Sequence, residues 1–396
     1  MLIYRYHNSS TLFLLKNNTI KGSCFGDLSE YKLVKKHFYI CNCFRYYHKM
    51  LYFRKMNLLR KILFPFAVLY GFITGIRNFL FDRGVLKSYS FNLPVIAVGN
   101  LSVGGTGKTP QIECLIRLLS NQYKVATLSR GYKRQSEGFV LANENSDALE
   151  LGDEPFQFYQ KFKNIQVAVD ANRKNGIEQL LSGSIKPDVI LLDDAFQHRK
   201  VKAGLYIMLT SYGDLYCNDF ILPMGNLRES RSGVQRANIV IITKCPPNLS
   251  LEAQNAIKKE LNLSPNQSLF FTFIEYDEVV YSDKKTLKAD EVKAMDKLLL
   301  AGIAKPESFF AHLKQENDEC LTYPDHHHFS ESELQEIKKK ANGRIIVTTE
   351  KDFVRLKGSI LSRQLYYLPI KSSFFSDGDS FDKYILNYVG QSTRNS

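Results

Sequence analysis

The sequence predicts an α/β fold in which a parallel β-sheet is covered by helices on both faces. One observation is a series of short apolar runs separated by stretches of helical character, a pattern typical of buried parallel strands. The runs occupy residues 95–98, 125–128, 167–169, 189–192, 205–209 and 239–242. The other observation is a glycine-rich loop between the first run and a helix. We therefore predict one α/β domain over residues 93–270.

The glycine-rich loop predicts a phosphate-binding loop, or P-loop. It reads Ser102-Val103-Gly104-Gly105-Thr106-Gly107-Lys108-Thr109, and a helical stretch follows it through residue 118. Glycines let backbone N–H groups converge on phosphate oxygens, and the helix N-terminus adds partial positive charge. In this pattern Lys108 reaches the outer phosphates and the Thr109 hydroxyl holds Mg²⁺. Because Ser102 stands where the strict pattern has glycine, a chance glycine-rich turn is the alternative.

Two carboxylates follow the apolar run at 189–192. Asp193 and Asp194 come at the end of a predicted parallel strand, where such sheets present ligands. Carboxylates suit Mg²⁺ or its bound waters, so the pair is a candidate metal site; an ordinary turn at the end of a strand is the alternative. Two further polar loops, at 152–155 and 223–229, also place charged groups together. Taken singly, each of these loops is more typical of a solvated turn.

A second, smaller α/β domain is predicted after the first. The segment 270–280 alternates polar and apolar residues, so we assign 271–285 to linker strands. An apolar run at 298–301, a charged helix at 331–341 and apolar runs at 345–348 and 365–368 follow. We assign these elements to a domain spanning 286–390.

The positive charge of the chain is concentrated at its N-terminus. The formal net charge is +13, but residues 1–55 carry ten Lys or Arg against Asp27 and Glu30, which leaves +5 for the remainder. This balance favours a surface attracted to anionic lipid or a phosphorylated substrate. Nucleic acid is disfavoured because no module of interleaved basic and aromatic residues is present. We expect 1–55 to lie outside the functional protein, with translation beginning at Met50 or Met56.

The seven cysteines show no repeated spacing, which favours a reducing compartment. Three of them, Cys24, Cys41 and Cys43, lie near one another in the basic extension. A zinc site is the alternative to free thiols there. No second cluster of ligands completes such a site, so free thiols are favoured.

The segment 56–92 contains a membrane-associating stretch. Residues 62–76 are uncharged and are flanked by Arg60, Lys61 and Arg77. A helix of about 1.5 Å per residue over this stretch is shorter than a bilayer core of about 30 Å. We therefore predict a segment that lies in one leaflet, with its basic residues at the headgroups. A buried core helix is the alternative.

Several further motifs identify a resemblance when they are taken together with the P-loop. They are Ser129-Arg130-Gly131-Tyr132, Gly152-Asp153-Glu154-Pro155, Asn172-Arg173, Asp193-Asp194-Ala195-Phe196-Gln197-His198, Pro223-Met224-Gly225-Asn226-Leu227-Arg228-Glu229 and Pro324-Asp325-His326-His327. In this order, between about residues 57 and 390, they resemble the tetraacyldisaccharide 4'-kinases, the lipid A 4'-kinases. That family has the same serine at the start of the P-loop. Ala195 stands where the family usually has glycine.

The resemblance implies transfer of the ATP γ-phosphoryl group to the 4'-hydroxyl of an acylated glucosamine disaccharide 1-phosphate. The implied location is the cytoplasmic face of the bacterial inner membrane, with a peripheral or monotopic attachment. The resemblance gives Asp153 the role of general base and His326 the role of its partner from the second domain. It also implies that Lys108 and Arg228 offset phosphoryl charge. Thr109, Asp193, Asp194 and Glu229 would manage Mg²⁺.

Three alternatives remain at this point. A P-loop GTPase is suggested by Thr243-Lys244-Cys245-Pro246, although Pro246 replaces the carboxylate that would read a guanine base. A membrane-bound nucleotide-binding module without turnover is the second. The third concerns His326, His327 and His328, which form either a metal site or an ordinary surface run, although consecutive residues do not all point one way.

Overall fold

The computed structural model describes residues 58–394, which contain two β-sheets with helices packed on them. The predicted extension at 1–55, with its three cysteines, lies outside these residues. The strands are β1 Val95–Asn100, β2 Val125–Ser129, β3 Val140–Leu141, β4 Gln166–Val169, β5 Val189–Asp193, β6 Leu205–Ser211, β7 Ile239–Cys245, β8 Ser268–Tyr276, β9 Val279–Tyr281, β10 Thr286–Lys288, β11 Lys297–Ala301, β12 Glu319–Thr322, β13 Ile345–Thr349, β14 Leu365–Leu368 and β15 Ile370–Phe374. The α-helices are α1 Leu58–Ile62, α2 Phe64–Asp82, α3 Lys108–Leu119, α4 Ala148–Leu151, α5 Asp153–Lys161, α6 Arg173–Ser182, α7 Leu251–Leu261, α8 Ala289–Ala294, α9 Glu307–Leu313, α10 Glu331–Ala341, α11 Glu350–Leu356 and α12 Gly378–Arg394.

The larger sheet is parallel except at its two edges. Within the described residues its nine strands run in the order β15-β8-β7-β6-β1-β5-β2-β4-β3, and only the β15–β8 and β3–β4 pairs are antiparallel. Strand β1 lies between β5 and β6 and is buried along its whole length. Apolar residues from both faces of β1 therefore pack against covering helices. The loops after β1 and β5 emerge side by side at the carboxyl edge, where α/β sheets bind ligands.

The smaller sheet has the order β10-β9-β14-β13-β11-β12 in this part of the chain. Its four strands from β14 to β12 are parallel, and β9 and β10 form an antiparallel edge. Its central strands are hydrophobic, and helices α10 and α11 contribute Ile337 and Phe353 to the core on one face. The predicted α/β class, with a second and smaller α/β sheet, is confirmed.

The sheet boundaries differ from the predicted domain boundaries in two places. The segment assigned to linker strands is divided, because β8 belongs to the larger sheet and β9 to the smaller one. The end of the chain also returns to the larger sheet, since β15 pairs with β8 and α12 packs into its core. The sequence assigned both elements to the smaller domain. Their amphipathic pattern shows that they are buried but does not show which sheet buries them.

Helix α2 has one face on the protein and one exposed apolar face. Ala67 is buried, while Phe66, Leu69, Phe72 and Ile73 are each more than half exposed. In the described part of the chain, α2 is the one helix that is long and apolar enough to cross a membrane by length and composition. Only 6% of its apolar window is buried, so α2 is not a core helix.

The helix also extends past its predicted end. Its 19 residues continue to Asp82, because the polar residues after position 76 find partners on the protein. Arg77 donates to the Gln197 carbonyl at 3.3 Å, and Arg199 pairs with Asp82 at 2.6 Å. Arg77 and Asp82 therefore attach the end of the helix to the loop that follows β5.

The packing of α12 on the larger sheet gives a test of this topology. Phe381 is fully buried, and its ring lies 5.4 Å from that of Phe270 and 4.5 Å from that of Phe374. We expect Phe381→Ala to lower the free energy of unfolding by about 3–5 kcal/mol in urea titrations, because it leaves a cavity between the helix and the sheet. Phe72→Ala, at a ring that is 65% exposed, is the matched control and should change stability little. Equal losses for the two variants would contradict this packing.

Candidate active site

The P-loop connects β1 to α3 and supplies a cradle of backbone groups. Gly104 and Gly107 have φ angles of +109° and +81°, a region that glycine adopts without steric cost. Gly107 is also the residue before α3, so the N-terminus of the helix opens onto the loop. Lys108 is the first residue of this helix, and its Nζ lies 3.5 Å from Asn100 Oδ1. Thr109 follows on the same turn and is partly buried.

The P-loop is held by two other segments, the loop at 226–228 and the end of β7. Val103 N donates to the Asn226 carbonyl at 2.7 Å, and Arg228 N donates to the Leu101 carbonyl at 2.7 Å, so the loop pairs with residues 226–228 like a short strand. Ser102, 9% exposed, forms a bridge with Leu227 in this pairing. The predicted loop at 223–229 is therefore a structural partner of the P-loop, and it brings Arg228 to the phosphate site.

The end of β7 supports the other side of the P-loop. Thr243 Oγ1 donates to the Thr106 carbonyl at 2.8 Å, and Lys244 Nζ donates to the Gly105 carbonyl at 2.6 Å. The sequence suggested a guanine-reading motif for these two residues. In the structure they bind the backbone of the P-loop, a role that side chains at the carboxyl edge of a neighbouring strand can take without contacting a base.

Asp193 ends β5 beside the P-loop and lacks a partner for one oxygen. Its Oδ1 is buried and has no hydrogen-bond partner among residues 58–394, while Oδ2 lies 3.4 Å from Ser129 Oγ. Burial, followed by the charge of Asp194, raises the pKa of Asp193 to about 6. A cation bound beside this oxygen would favour the ionised form of Asp193 and would lower its pKa.

Asp194 is ion-paired, in contrast to its neighbour. Arg228 Nη1 lies 2.9 Å and 3.0 Å from the two carboxylate oxygens, and Lys108 Nζ lies 3.6 Å from Oδ1. Burial alone would raise the pKa of Asp194, but the Lys108 and Arg228 cations outweigh it and lower the pKa. The structure thus brings three predicted site residues into one cluster.

Glu229 has a different environment from the one predicted for a metal ligand. It is 1% exposed, Oε2 accepts from Asn78 at 2.7 Å, and Oε1 accepts from Gln197 at 2.9 Å and Arg236 at 2.7 Å. These bonds connect α2 to the loop that carries Arg228. Both oxygens are engaged in this structure, so its role in binding Mg²⁺ stays a prediction.

The residues present fit Mg²⁺ only when nucleotide completes the site. No group of three or more His, Cys, Asp or Glu side chains within residues 58–394 is arranged to hold a metal ion by itself. Mg²⁺ usually takes one or two carboxylates and fills its remaining positions with water and substrate phosphates. Asp193 has an oxygen without a partner in the described residues, whereas both oxygens of Asp194 pair with Arg228. Asp193 is therefore the acid that fits such a site best, and the roles of Asp194 and Thr109 stay predictions.

Asp153 and His326 meet although they are 173 positions apart in the chain. Asp153 is the first residue of α5, and His326 lies in the loop after β12 of the smaller sheet. Asp153 Oδ2 lies 3.1 Å from His326 Nδ1, and both side chains are nearly one fifth exposed. The predicted pairing is therefore present in the geometry, and the N-terminus of α5 favours a negative charge at Asp153.

Arg355 is a member of this cluster that the sequence analysis missed. Its Nη2 donates to Asp153 Oδ2 at 2.6 Å, and its Nε donates to the same oxygen at 3.0 Å. Burial would raise the pKa of Asp153, but the hydrogen bonds from His326 and Arg355 outweigh it and hold the pKa well below its usual range. Asp153 is therefore ionised at neutral pH. The signal for Arg355 in the sequence was its spacing from Lys351, since the two cations are four positions apart and follow the apolar run at 345–348.

The three consecutive histidines have three different environments. His326 faces Asp153, His327 Nε2 lies 2.9 Å from Glu333, and His328 is exposed. His327 also stacks on Tyr323 at 5.0 Å between ring centroids. Their divergence does not fit the alternative of one metal site built from the run.

Glu154 interacts electrostatically with one cluster and contacts the other. The charge of Glu154 contributes to the raised pKa of Asp193, and its Oε1 lies 3.3 Å from Lys351 Nζ, which contacts His326 at 2.9 Å.

Backbone strain is also present in the candidate active site, since Asp194, Lys244 and His326 have φ angles of +47°, +57° and +61°. Residues other than glycine and asparagine seldom adopt this region, and such strain often accompanies functional sites.

Comparisons with known proteins identify the family of the chain. The family model described as tetraacyldisaccharide-1-P 4'-kinase matches residues 59–390. A protein of Flavobacterium johnsoniae named tetraacyldisaccharide 4'-kinase is 71% identical over 334 residues, covering 84% of this chain and 98% of that relative. A Flavobacterium psychrophilum protein of the same name is 68% identical over 342 residues, covering 86% of this chain and 100% of that relative.

A solved structure extends the similarity to the fold. The "apo" form of LpxK from Aquifex aeolicus, in complex with ATP, is 30% identical, has a TM-score of 0.68 and covers 84% of this chain and 100% of that chain. The sequence resemblance, the matched residues and the shared fold agree, and the chain belongs to the tetraacyldisaccharide-1-P 4'-kinase family.

Proposed function

We propose that this protein is an ATP-dependent kinase that phosphorylates the 4'-hydroxyl of a tetraacylated glucosamine disaccharide 1-phosphate in lipid A biosynthesis. The observation that carries the proposal is the presence in one chain of a P-loop with the cations Lys108 and Arg228 and of an ionised carboxylate, Asp153, that is held by His326 and Arg355. A phosphate cradle alone serves many functions. An ionised acid beside it, hydrogen-bonded by a histidine, adds a group that accepts the proton of an attacking alcohol.

Each side chain has a role in this reaction. The acceptor hydroxyl oxygen forms a bond to the γ-phosphorus, the bond between that phosphorus and the ADP oxygen breaks, and the hydroxyl proton passes to Asp153. Lys108 and Arg228 offset charge on the phosphoryl oxygens. A carboxylate of low pKa is a weak base, but the proton becomes acidic as the oxygen bonds to phosphorus. Positioning then supplies most of the rate enhancement.

Mg²⁺ is the second cofactor in this proposal. Thr109, Asp193 and Asp194 would hold it with the nucleotide phosphates, and Glu229 supports the loop from behind. When bound, the ion neutralises phosphate charge and orients the transferred group. The unpartnered Asp193 oxygen and the raised pKa of this residue support the proposal.

The acceptor is a lipid, and α2 gives the enzyme a surface for meeting it. We place the protein at the cytoplasmic face of the bacterial inner membrane, attached peripherally or monotopically by the exposed face of α2. The opposite face of α2 is fixed to the active site, since Tyr70 donates to the Arg228 carbonyl at 2.9 Å and Asn78 donates to Glu229. At about 1.5 Å per residue, the 19-residue helix is about 28 Å long, which is close to a bilayer core of about 30 Å. Its length therefore does not by itself distinguish a helix that lies in one leaflet from one that crosses the bilayer.

The proposed activity predicts one new phosphate on the lipid. The protein is incubated in detergent with ATP, Mg²⁺ and the tetraacylated disaccharide 1-phosphate, and the lipid is analysed by mass spectrometry. The expected product gains one phosphoryl group, with fragments that place it on the 4' oxygen. Unmodified lipid with folded, ATP-binding protein would instead support a binding module without turnover. GTP as the preferred donor would support the GTPase alternative.

Removing the negative charge of Asp153 should stop turnover. We expect Asp153→Asn to lower kcat by about 10²- to 10⁴-fold, because the amide cannot accept the hydroxyl proton. ATP affinity, measured by calorimetry, should stay close to that of the unaltered protein. Asp290→Asn is the matched control, since that side chain is 95% exposed and belongs to α8. A kcat for Asp153→Asn equal to that of the control would refute the assignment of the base.

Replacing the apolar face of α2 should weaken membrane binding. A variant with Phe66, Leu69, Phe72 and Ile73 changed to Ser loses side chains that are each worth about 1.5–3 kcal/mol when fully buried. We expect it to bind anionic phospholipid vesicles at least about tenfold more weakly in co-sedimentation.

The control for this experiment changes apolar residues elsewhere. Leu149, Ile185 and Leu251 are also more than half exposed but lie outside α2. A variant with these three residues changed to Ser should bind vesicles like the unaltered protein. Equal binding by both variants would show that α2 is not the attachment surface.

A further inference from the structure

Helix α11 places two cations against the Asp153–His326 pair. It begins directly after β13, where Thr349 caps it by accepting from Asp352 N. Lys351 and Arg355 are four positions apart and lie on one face of the helix. Lys351 Nζ is 2.9 Å from His326 Nε2, and Arg355 Nη2 is 2.6 Å from Asp153 Oδ2. The helix therefore contacts both members of the pair.

The ring nitrogens of His326 have different partners, and these partners distinguish the two tautomers. An ammonium group only donates hydrogen bonds, so Nε2 must accept from Lys351 and cannot carry a proton. In the neutral ring the proton then lies on Nδ1, which donates to Asp153 Oδ2 at 3.1 Å. The other tautomer would place two donors, Lys351 Nζ and Nε2–H, 2.9 Å apart, and it would remove the donor that Asp153 accepts from at Nδ1. The nearest acceptor for a proton on Nε2, Asp325 Oδ1, is farther away at 3.9 Å.

Arg355 is also near Nδ1, but it does not reverse this conclusion. Its Nη2 lies 3.0 Å from Nδ1 and 2.6 Å from the carboxylate of Asp153. The hydrogen bond to the carboxylate is shorter and charge-assisted on both sides, so it is the stronger of the two. The tautomer with the proton on Nδ1 therefore satisfies the contacts of Lys351 and Asp153 and leaves Arg355 its stronger bond.

Lys351 is itself held in position by carboxylates. Its Nζ lies 3.2 Å from Asp325 Oδ1 and 3.3 Å from Glu154 Oε1. One of these groups precedes His326 in the loop after β12, and the other follows Asp153 in α5. The ammonium group is thus fixed by both elements that carry the pair, and its side chain is only 23% exposed.

We propose that Lys351 is a positioning residue that fixes His326 as the Nδ1–H tautomer and thereby assigns the role of proton acceptor to Asp153. The catalytic part of this inference rests on the proposed function. Because Nε2 is occupied by Lys351, His326 has no free lone pair for the acceptor hydroxyl. His326 instead orients Asp153 by donating to it, and the proton of the hydroxyl passes to the carboxylate.

The tautomer is tested directly by ¹⁵N NMR on protein with labelled histidines, and the His326 signals are identified by their loss in His326→Gln. In the unaltered protein we expect a protonated Nδ1 and an unprotonated Nε2. Lys351→Met should shift the population toward Nε2–H, and Lys351→Arg, which retains a donor, should restore Nδ1–H. An Nε2–H ring or an imidazolium in the unaltered protein, or an unchanged tautomer in Lys351→Met, would overturn the proposal.

Kinetics with a matched control give the second readout. Lys357→Met removes a lysine that pairs with Asp283 at 3.0 Å and makes no contact with the pair, so its kcat should be unchanged. We expect Lys351→Met to lower kcat by about tenfold or more without changing KM for ATP, and Lys351→Arg to recover most of the loss. A kcat for Lys351→Met equal to that of Lys357→Met would overturn the catalytic part. The NMR result does not depend on turnover, so it distinguishes failure of this inference from failure of the proposed function.

Discussion

The carboxylate of Asp153 is held by hydrogen bonds that connect the elements of the two sheets. It lies on α5, beside the larger sheet, and its hydrogen-bond donors His326 and Arg355 come from the smaller sheet. Separating the sheets here would leave the partly buried Asp153 carboxylate without its hydrogen-bond donors, which is energetically unfavourable.

A second ionic contact lies where Lys161 bridges Glu113 and Glu350 at 2.8 Å each. Burial and the charge of Glu113 raise the pKa of Glu350 to about 7, so this second contact is more sensitive to protonation than the first.

Two aspartates of the candidate site, Asp193 and Asp153, have pKa values that shift in opposite directions. Burial and a neighbouring acid raise the pKa of Asp193, whereas the donors around Asp153 hold its pKa low despite burial. Pairs of acids with diverging pKa values often have separate chemical roles. Here the difference agrees with a cation at Asp193 and a proton acceptor at Asp153. Arg228 connects these roles to α2, because Tyr70 of that helix donates to its backbone carbonyl.

The sequence predicted the parts of this site that depend on local pattern. Strand β5 and the acids that follow it could be recognised because an apolar run ends in two carboxylates, and the P-loop because glycines stand at fixed spacings. The Asp153–His326 pair came from the family resemblance, since no spacing connects residues 173 positions apart. Arg355 and Lys351 were missed because a charged helix is typical of a solvated surface, and only the fold shows that this face meets Asp153. The assignment of β15 and α12 failed for a related reason, because an amphipathic pattern does not identify the surface that buries it.

In the proposed reaction, the γ-phosphoryl group held by the P-loop and the carboxylate of Asp153 act on one hydroxyl in one cavity. A crystal structure of the Asp153→Asn variant with ATP, Mg²⁺ and the acylated disaccharide 1-phosphate tests it most directly. We expect the 4'-oxygen to lie within hydrogen-bond distance of the side chain at position 153 and in line with the bond from the γ-phosphorus to ADP. An acceptor sugar bound away from position 153, or a γ-phosphate in a separate cavity, would contradict it.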